Sequence, residues 1–211
     1  MFRSTIFNLL FYFIEIVYYI HMPILKKNYY LFIENTTELN LNLIKKRNKF
    51  NIIYRNQNKK EKIKDLLSYR KKCKVRGIKL FVTNDVKLLT KIQADGLYVS
   101  AYNKNLAVSK YKIKYIIIGS AHNQKEIMLK KKQGCRAIIY SRIFKTNYKN
   151  KKGFLGINRF NFVSYRSSIE IIPLGGINEK NLDKMKTVRC NSFACLSALK
   201  KKPAKIINRL F

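Results

Sequence analysis

From residue 29 onward the chain alternates between short apolar runs and longer, lysine-rich amphipathic stretches. The apolar runs fall at 29–33, 51–55, 78–83, 96–100, 115–119, 137–141, 169–174 and 192–196. They are rich in Ile, Val, Tyr and Phe and lack strict polar–apolar alternation. Strands buried on both faces, as in a parallel sheet, read this way. Helical patterns lie between them, as at 60–74, 85–93, 123–133 and 179–186. Strands interleaved with helices predict a single-domain α/β fold, the (β/α)8 TIM barrel, over residues 26–211. A doubly wound open sheet is the alternative, but so many units in so short a chain favour closure. The first unit is the weakest, because the segment between its two strands is short.

Residues 1–25 form an apolar N-terminal extension of different character. Glu15 interrupts its run from Ile6 to Ile20, which falls short of the roughly 20 residues a membrane span needs. No small-residue cleavage site of a signal peptide follows it. Met22 stands just ahead of the first strand. A start codon assigned too far upstream and a membrane anchor are both open readings, with membrane association the less favoured.

Composition adds one anomaly. Forty-five Lys and Arg face eleven Asp and Glu, a net charge of +34. Such a balance suits nucleic acid or an anionic surface. It is spread along the whole chain, and no nucleic-acid-binding motif accompanies it. The abundance of Lys, Asn, Ile, Tyr and Phe also matches AT-rich coding, so no specific nucleic-acid partner is expected. The charge would still concentrate phosphorylated small molecules near the surface. Cys73, Cys135, Cys190 and Cys195 form no C-x-x-C pair, and His21 and His122 are the two histidines, which leaves little for a zinc site. Reduced, buried thiols in a cytoplasmic protein are the expectation.

In a barrel of this kind chemistry sits where strands end and loops begin. The clearest such signal is Pro173-Leu174-Gly175-Gly176-Ile177-Asn178 at the end of the seventh strand. Adjacent glycines let backbone N–H groups approach a phosphate. Leu196-Ser197-Ala198-Leu199 ends the eighth strand, where a short helix can aim its N-terminus at the same anion. Taken alone, Gly175 and Gly176 could also make no more than a tight turn.

Several segments then fall into one order. They are Asn84-Asp85, Ala94-Asp95-Gly96-Leu97-Tyr98-Val99, Ser120-Ala121-His122-Asn123, Phe144-Lys145-Thr146-Asn147-Tyr148-Lys149 leading to Leu155-Gly156, Leu174-Gly175-Gly176-Ile177 with Asn181, and Ala194-Cys195-Leu196-Ser197-Ala198-Leu199. Together they make the chain similar to the thiamine-phosphate synthase and thiazole tautomerase family over roughly residues 29–200. That resemblance implies coupling of hydroxymethylpyrimidine diphosphate to a thiazole phosphate with loss of pyrophosphate. It implies Asp85 as a Mg²⁺ ligand, with Asn103 at the position of a second. It implies Asn84 and Arg55 on the diphosphate, Ser120 and Lys149 assisting its departure, and His122 in acid–base work. Thr146, Gly156, Gly175, Gly176 and Ser197 are implied to bind substrate. The partners so implied are small phosphate and diphosphate molecules. The oligomeric state is not legible.

The departures are local. The family's Q-L-R-E-K stands here as Ile53-Tyr54-Arg55-Asn56-Gln57, which keeps the arginine, and Lys59 or Lys60 could replace its lysine from a shifted position. Its G-Q-x-D stands as Ser100-Ala101-Tyr102-Asn103, and Tyr98 replaces a histidine. An asparagine holds Mg²⁺ less tightly than an aspartate. Three readings therefore stay open: a synthase with a relaxed metal site, a metal-independent tautomerase-like or thiazole-phosphate-binding barrel, and a non-catalytic protein with a basic binding surface.

Overall fold

The computed structural model describes residues 28–44, 48–56, 61–146 and 153–195. The expectations for residues 1–25, Gln57, Lys59, Lys60, Tyr148, Lys149 and Ser197 lie outside these residues. Eight strands follow one another around a closed barrel: β1 Asn28–Ile33, β2 Phe50–Tyr54, β3 Lys79–Thr83, β4 Gly96–Val99, β5 Ile116–Ala121, β6 Ala137–Ser141, β7 Glu170–Leu174 and β8 Ser192–Cys195. Every pairing is parallel, and β1 closes on β8 with Tyr29 opposite Phe193 and Leu31 opposite Cys195.

Alternate residues of each strand divide between two cores. Tyr30, Phe32, Ile53, Phe81, Tyr98, Ile118, Ile139, Ile172 and Ala194 fill the barrel interior. Their neighbours Leu31, Ile52, Leu80, Leu97, Ile117, Ile138, Ile171 and Phe193 pack outward under the helices. Both faces are dry, which is why the strands read as continuous apolar runs. Burying each such side chain contributes about 1.5–3 kcal/mol.

The helices are α1 Ile63–Val75, α2 Val86–Lys91, α3 Gln124–Lys132 and α4 Ile157–Arg166. In α1, Leu66, Tyr69 and Cys73 recur at helical spacing and are the buried residues, with Asp65 in the first turn and Lys72 and Lys74 in the last. Those charges oppose the helix dipole at each end. Asp85 caps α2 by accepting from Leu88 N at 2.8 Å, and Asn123 caps α3 by accepting from Glu126 N at 2.9 Å. Between β1 and β2, and between β4 and β5, the connections are 3₁₀ turns, Leu41–Leu43 and Leu106–Tyr111.

The helix expected over 179–186 is instead two 3₁₀ turns, Glu179–Asn181 and Asp183–Lys186. The cause is Asn181, whose side chain turns back to donate to Gly176 O at 2.7 Å and accept from Asn178 N at 2.9 Å. The segment is tied to the loop after β7 rather than free to continue as a helix.

Asp95, part of one resembling motif, is structural. It accepts from Arg70 Nη2 at 2.8 Å and from Leu80 N at 2.7 Å, joining α1 to β3 ahead of β4. No helix among the described residues is long and apolar enough to cross a membrane.

Candidate active site

The C-terminal ends of the strands surround a cavity of about 260 Å³. Its floor is aromatic. Phe32 and Tyr98 meet edge to face, with centroids 5.3 Å apart. Arg55 enters just after β2, Ser120 from β5 and His122 just after it, Ser141, Arg142 and Thr146 from β6 and the loop after it, and Gly175, Gly176 and Ile177 from the loop after β7. A second, outer opening shares Tyr102, His122, Ser141 and Arg142 with it and adds Arg159 of α4. No aspartate or glutamate is among the described residues lining either space. Two arginines on the cavity wall offer guanidinium forks that suit phosphate oxygens.

Of the residues expected from the sequence, Arg55, Ser120, His122, Thr146, Gly175 and Gly176 come together on the cavity wall. Burial pushes the Tyr98 phenol up, while the nearby Ser120 hydroxyl and the Arg55 cation pull the other way. Tyr98 is therefore a neutral phenol at working pH. The His122 ring nitrogen Nδ1 lies 3.1 Å from Glu126 Oε2, and the same oxygen accepts from His122 N at 2.7 Å. A carboxylate accepts, so Nδ1 carries the proton and the ring is held from behind.

The loop after β7 is anchored through its carbonyls. Gly175 O accepts from Phe144 N at 3.0 Å, and Gly176 O accepts from Asn178 Nδ2 at 3.1 Å and Asn181 Nδ2 at 2.7 Å. In a trans peptide the N–H points opposite the C=O. The N–H groups of Gly176 and Ile177 thus face away from these anchors, on a loop that lines the cavity.

Asn84, Asp85, Asn103 and Gly156 stand outside the lining. Gly156 starts α4 and donates to Ile143 O at 3.0 Å. Asn84 and Asn103 form a corner beside the cavity. Asn84 Oδ1 accepts from Ser100 N at 3.0 Å and from Asn103 Nδ2 at 3.1 Å, and Asn84 Nδ2 donates to Ser100 Oγ at 2.9 Å. Asn103 Oδ1 accepts from Asn105 N at 2.9 Å. As donors for Mg²⁺ these amount to one capping carboxylate, Asp85, and amide oxygens already engaged. No group of three or more His, Cys, Asp or Glu gathers among the described residues. One carboxylate beside neutral amides would hold Mg²⁺ only weakly, with oxygens from elsewhere needed to complete its shell.

Sequence reasoning missed Arg142 and Lys130. Arg142 follows directly after β6, the place where a barrel carries its chemistry, and that position was the available signal. Lys130 is wholly buried on α3. Its ammonium donates to Ser100 O at 2.7 Å, Asn103 O at 2.8 Å and Gln133 Oε1 at 2.9 Å. Gln133 Nε2 adds bonds to Asn103 O at 3.0 Å and Asn105 O at 2.9 Å, so α3 clamps the loop after β4. Burial pushes the Lys130 ammonium down from its ordinary value.

Residues 17–199 match the model of the thiamine monophosphate synthase family. The chain belongs to that family. Among curated relatives, a thiamine-phosphate synthase of Prochlorococcus marinus is 32% identical over 123 residues, covering 57% of this chain and 36% of that protein. That of Methanococcus vannielii is 26% identical over 122 residues, covering 57% of this chain and 59% of the relative. The chain thus spans about a third to three-fifths of the length of these two relatives. Thiamine phosphate pyrophosphorylase from Pyrococcus furiosus superposes with a TM-score of 0.67 at 16% identity, covering 88% of this chain and 94% of that one. Phosphoribosyl anthranilate isomerase from Thermotoga maritima gives a TM-score of 0.63 at 10% identity, covering 87% and 96%. At these identities the structural likenesses show the barrel fold, which hosts many chemistries.

Proposed function

We propose that this family member makes thiamine phosphate by joining hydroxymethylpyrimidine diphosphate to a thiazole phosphate. The observation that carries this is the cavity itself. It sets Arg55 and Arg142 on one wall together with the Gly175-Gly176 loop. In the reaction the bond between the pyrimidine methylene and the diphosphate oxygen breaks, and pyrophosphate leaves with the electron pair. The thiazole nitrogen lone pair then forms the new C–N bond, and no proton need be transferred between the two substrates.

The residues divide that work. Arg55 binds the diphosphate and stabilises the charge that grows on it as it leaves. Ser120, beside the Tyr98 phenol, supplies a hydroxyl to the same cavity. The N–H groups of Gly176 and Ile177 hold the thiazole phosphate, and Phe32 and Tyr98 give the flat rings an aromatic floor that excludes water. Asp85, with Asn103 beside the cavity, would hold magnesium, which would supply charge neutralisation to the diphosphate oxygens. The setting we infer is the cytoplasm, supported by four cysteines with no disulfide among them.

Growth is the test. Expression in a bacterium that lacks its own thiamine-phosphate synthase should restore growth without added thiamine, and the Arg55→Ala variant should not. A soluble, well-expressed native chain that gives no growth counts against the proposal. A second reading rests on His122, whose ring lines the cavity and is oriented by Glu126. That arrangement suits proton transfer on a thiazole carboxylate phosphate. Tautomer exchange by the native chain without any pyrimidine diphosphate, lost in His122→Gln, would favour it.

A further inference from the structure

We infer that Arg142 is a second diphosphate-binding arginine, which with Arg159 lets this chain hold pyrophosphate without a divalent metal. The inference deepens the proposed function and rests on it for the identity of the natural ligand.

Arg142 is built into the site from its backbone outward. Its carbonyl accepts from Leu155 N at 2.8 Å, and Nη1 donates to Thr146 Oγ1 at 3.1 Å. Its Cβ fills the space beside Gly175, where an added Cβ would stand 2.5 Å from it. The side chain is therefore rooted rather than a loose surface arginine. It lines both the cavity and the outer opening, at the boundary between them. Arg55 lines the inner space, Arg159 the outer, and His122 both. A diphosphate reaching from one space into the other would pass Arg142, with Arg55 on the inner side and Arg159 on the outer. Planar guanidinium forks suit phosphate oxygens better than point charges do.

The metal corner explains why such an arrangement matters here. Asp85 brings a single carboxylate, and Asn103 is neutral. A leaving diphosphate still needs its charge balanced in a cavity of low dielectric. Arg142, held by Thr146 and Leu155, supplies that balance from the end of β6.

The test is calorimetric titration of the full-length chain with inorganic pyrophosphate in excess EDTA. Native protein should bind, and Arg142→Gln should bind at least tenfold more weakly, about 1.4 kcal/mol. Arg142→Lys should fall between them, because charge remains but the fork is lost. Arg159→Gln should cost roughly threefold, about 0.65 kcal/mol. Lys79→Gln, on an exposed residue at the opposite end of β3, should change nothing and so separates a site from diffuse charge. Matching urea midpoints would show that the variants are folded. The inference is overturned if native protein binds pyrophosphate only with Mg²⁺, or if Arg142→Gln and Lys79→Gln behave alike. Because the readout is binding, Arg142-dependent affinity in a chain that makes no thiamine phosphate would sink the synthase reading and leave this one standing.

Discussion

Gly176→Ala should destabilise the barrel well beyond Gly153→Ala, although both glycines have positive φ. The φ angles are +72° and +81°. An alanine at such a φ costs about 1–2 kcal/mol, partly offset by about 0.4–1 kcal/mol from a stiffer unfolded chain. For Gly153 that is the whole effect, since nothing lies within 4 Å of an added Cβ. At Gly176 the same Cβ would stand 2.5 Å from Lys145 O and 2.7 Å from the Phe144 carbonyl carbon and oxygen. These are backbone atoms and cannot rotate away. Overpacking of this kind adds about 1–3 kcal/mol. The difference between the variants, about 1–3 kcal/mol, therefore isolates the close approach of the loops after β6 and β7. Urea unfolding at constant slope reads it as a shift in midpoint. Pyrophosphate titration should show Gly176→Ala weakened as well, because the displaced loop carries Arg142 and Thr146. Equal midpoint shifts for the two variants would refute the reasoning.

Stability should fall between about pH 8 and about pH 10. Burial pushes the Cys73, Cys135 and Cys195 thiols up to about 12, from an ordinary value of 9.0. The native chain keeps these protons while the unfolded chain loses them above about pH 9, so each thiol costs about 1.4 kcal/mol by about pH 10. Lys130 acts with the opposite sign, since its lowered value makes the folded state gain as pH rises toward 10.5. Midpoints measured at both pH values check this, and Cys195→Ala should lose about a third of the thiol effect. Lys130→Met should cost about 2 kcal/mol in urea midpoint and raise KM, because the carbonyls of Ser100 and Asn103 lose a charged donor. Asn103→Asp should lower the Mg²⁺ concentration giving half-maximal synthesis, and Asp85→Asn should raise it. An Mg²⁺ profile unchanged by either substitution would remove this corner from the account.

The barrel was legible because its strands are buried on both faces and so separate cleanly from basic, amphipathic helices. The connections were harder. The segment 179–186 has a helical pattern, but Asn181 ties it to Gly176 O, and a hydrogen bond of that kind leaves no periodic trace. The cavity lining was legible where residue type and position coincide, as at Arg55, Ser120, His122 and the glycine pair. Asp95 belongs to a resembling motif yet serves α1 and β3, a role visible only once Arg70 and Leu80 are placed beside it. Arg142 and Lys130 were hidden in a background of lysine and arginine. What distinguishes them is burial and partners, not identity.

Thiamine phosphate formation by the purified chain tests the central claim most directly. Protein, hydroxymethylpyrimidine diphosphate, thiazole phosphate and Mg²⁺ are mixed, and thiamine phosphate and pyrophosphate are both quantified over time. The account predicts that the two appear together in a one-to-one ratio and that Arg55→Ala abolishes both. Pyrophosphate release without thiamine phosphate, or neither product from native protein that binds both substrates, would contradict it.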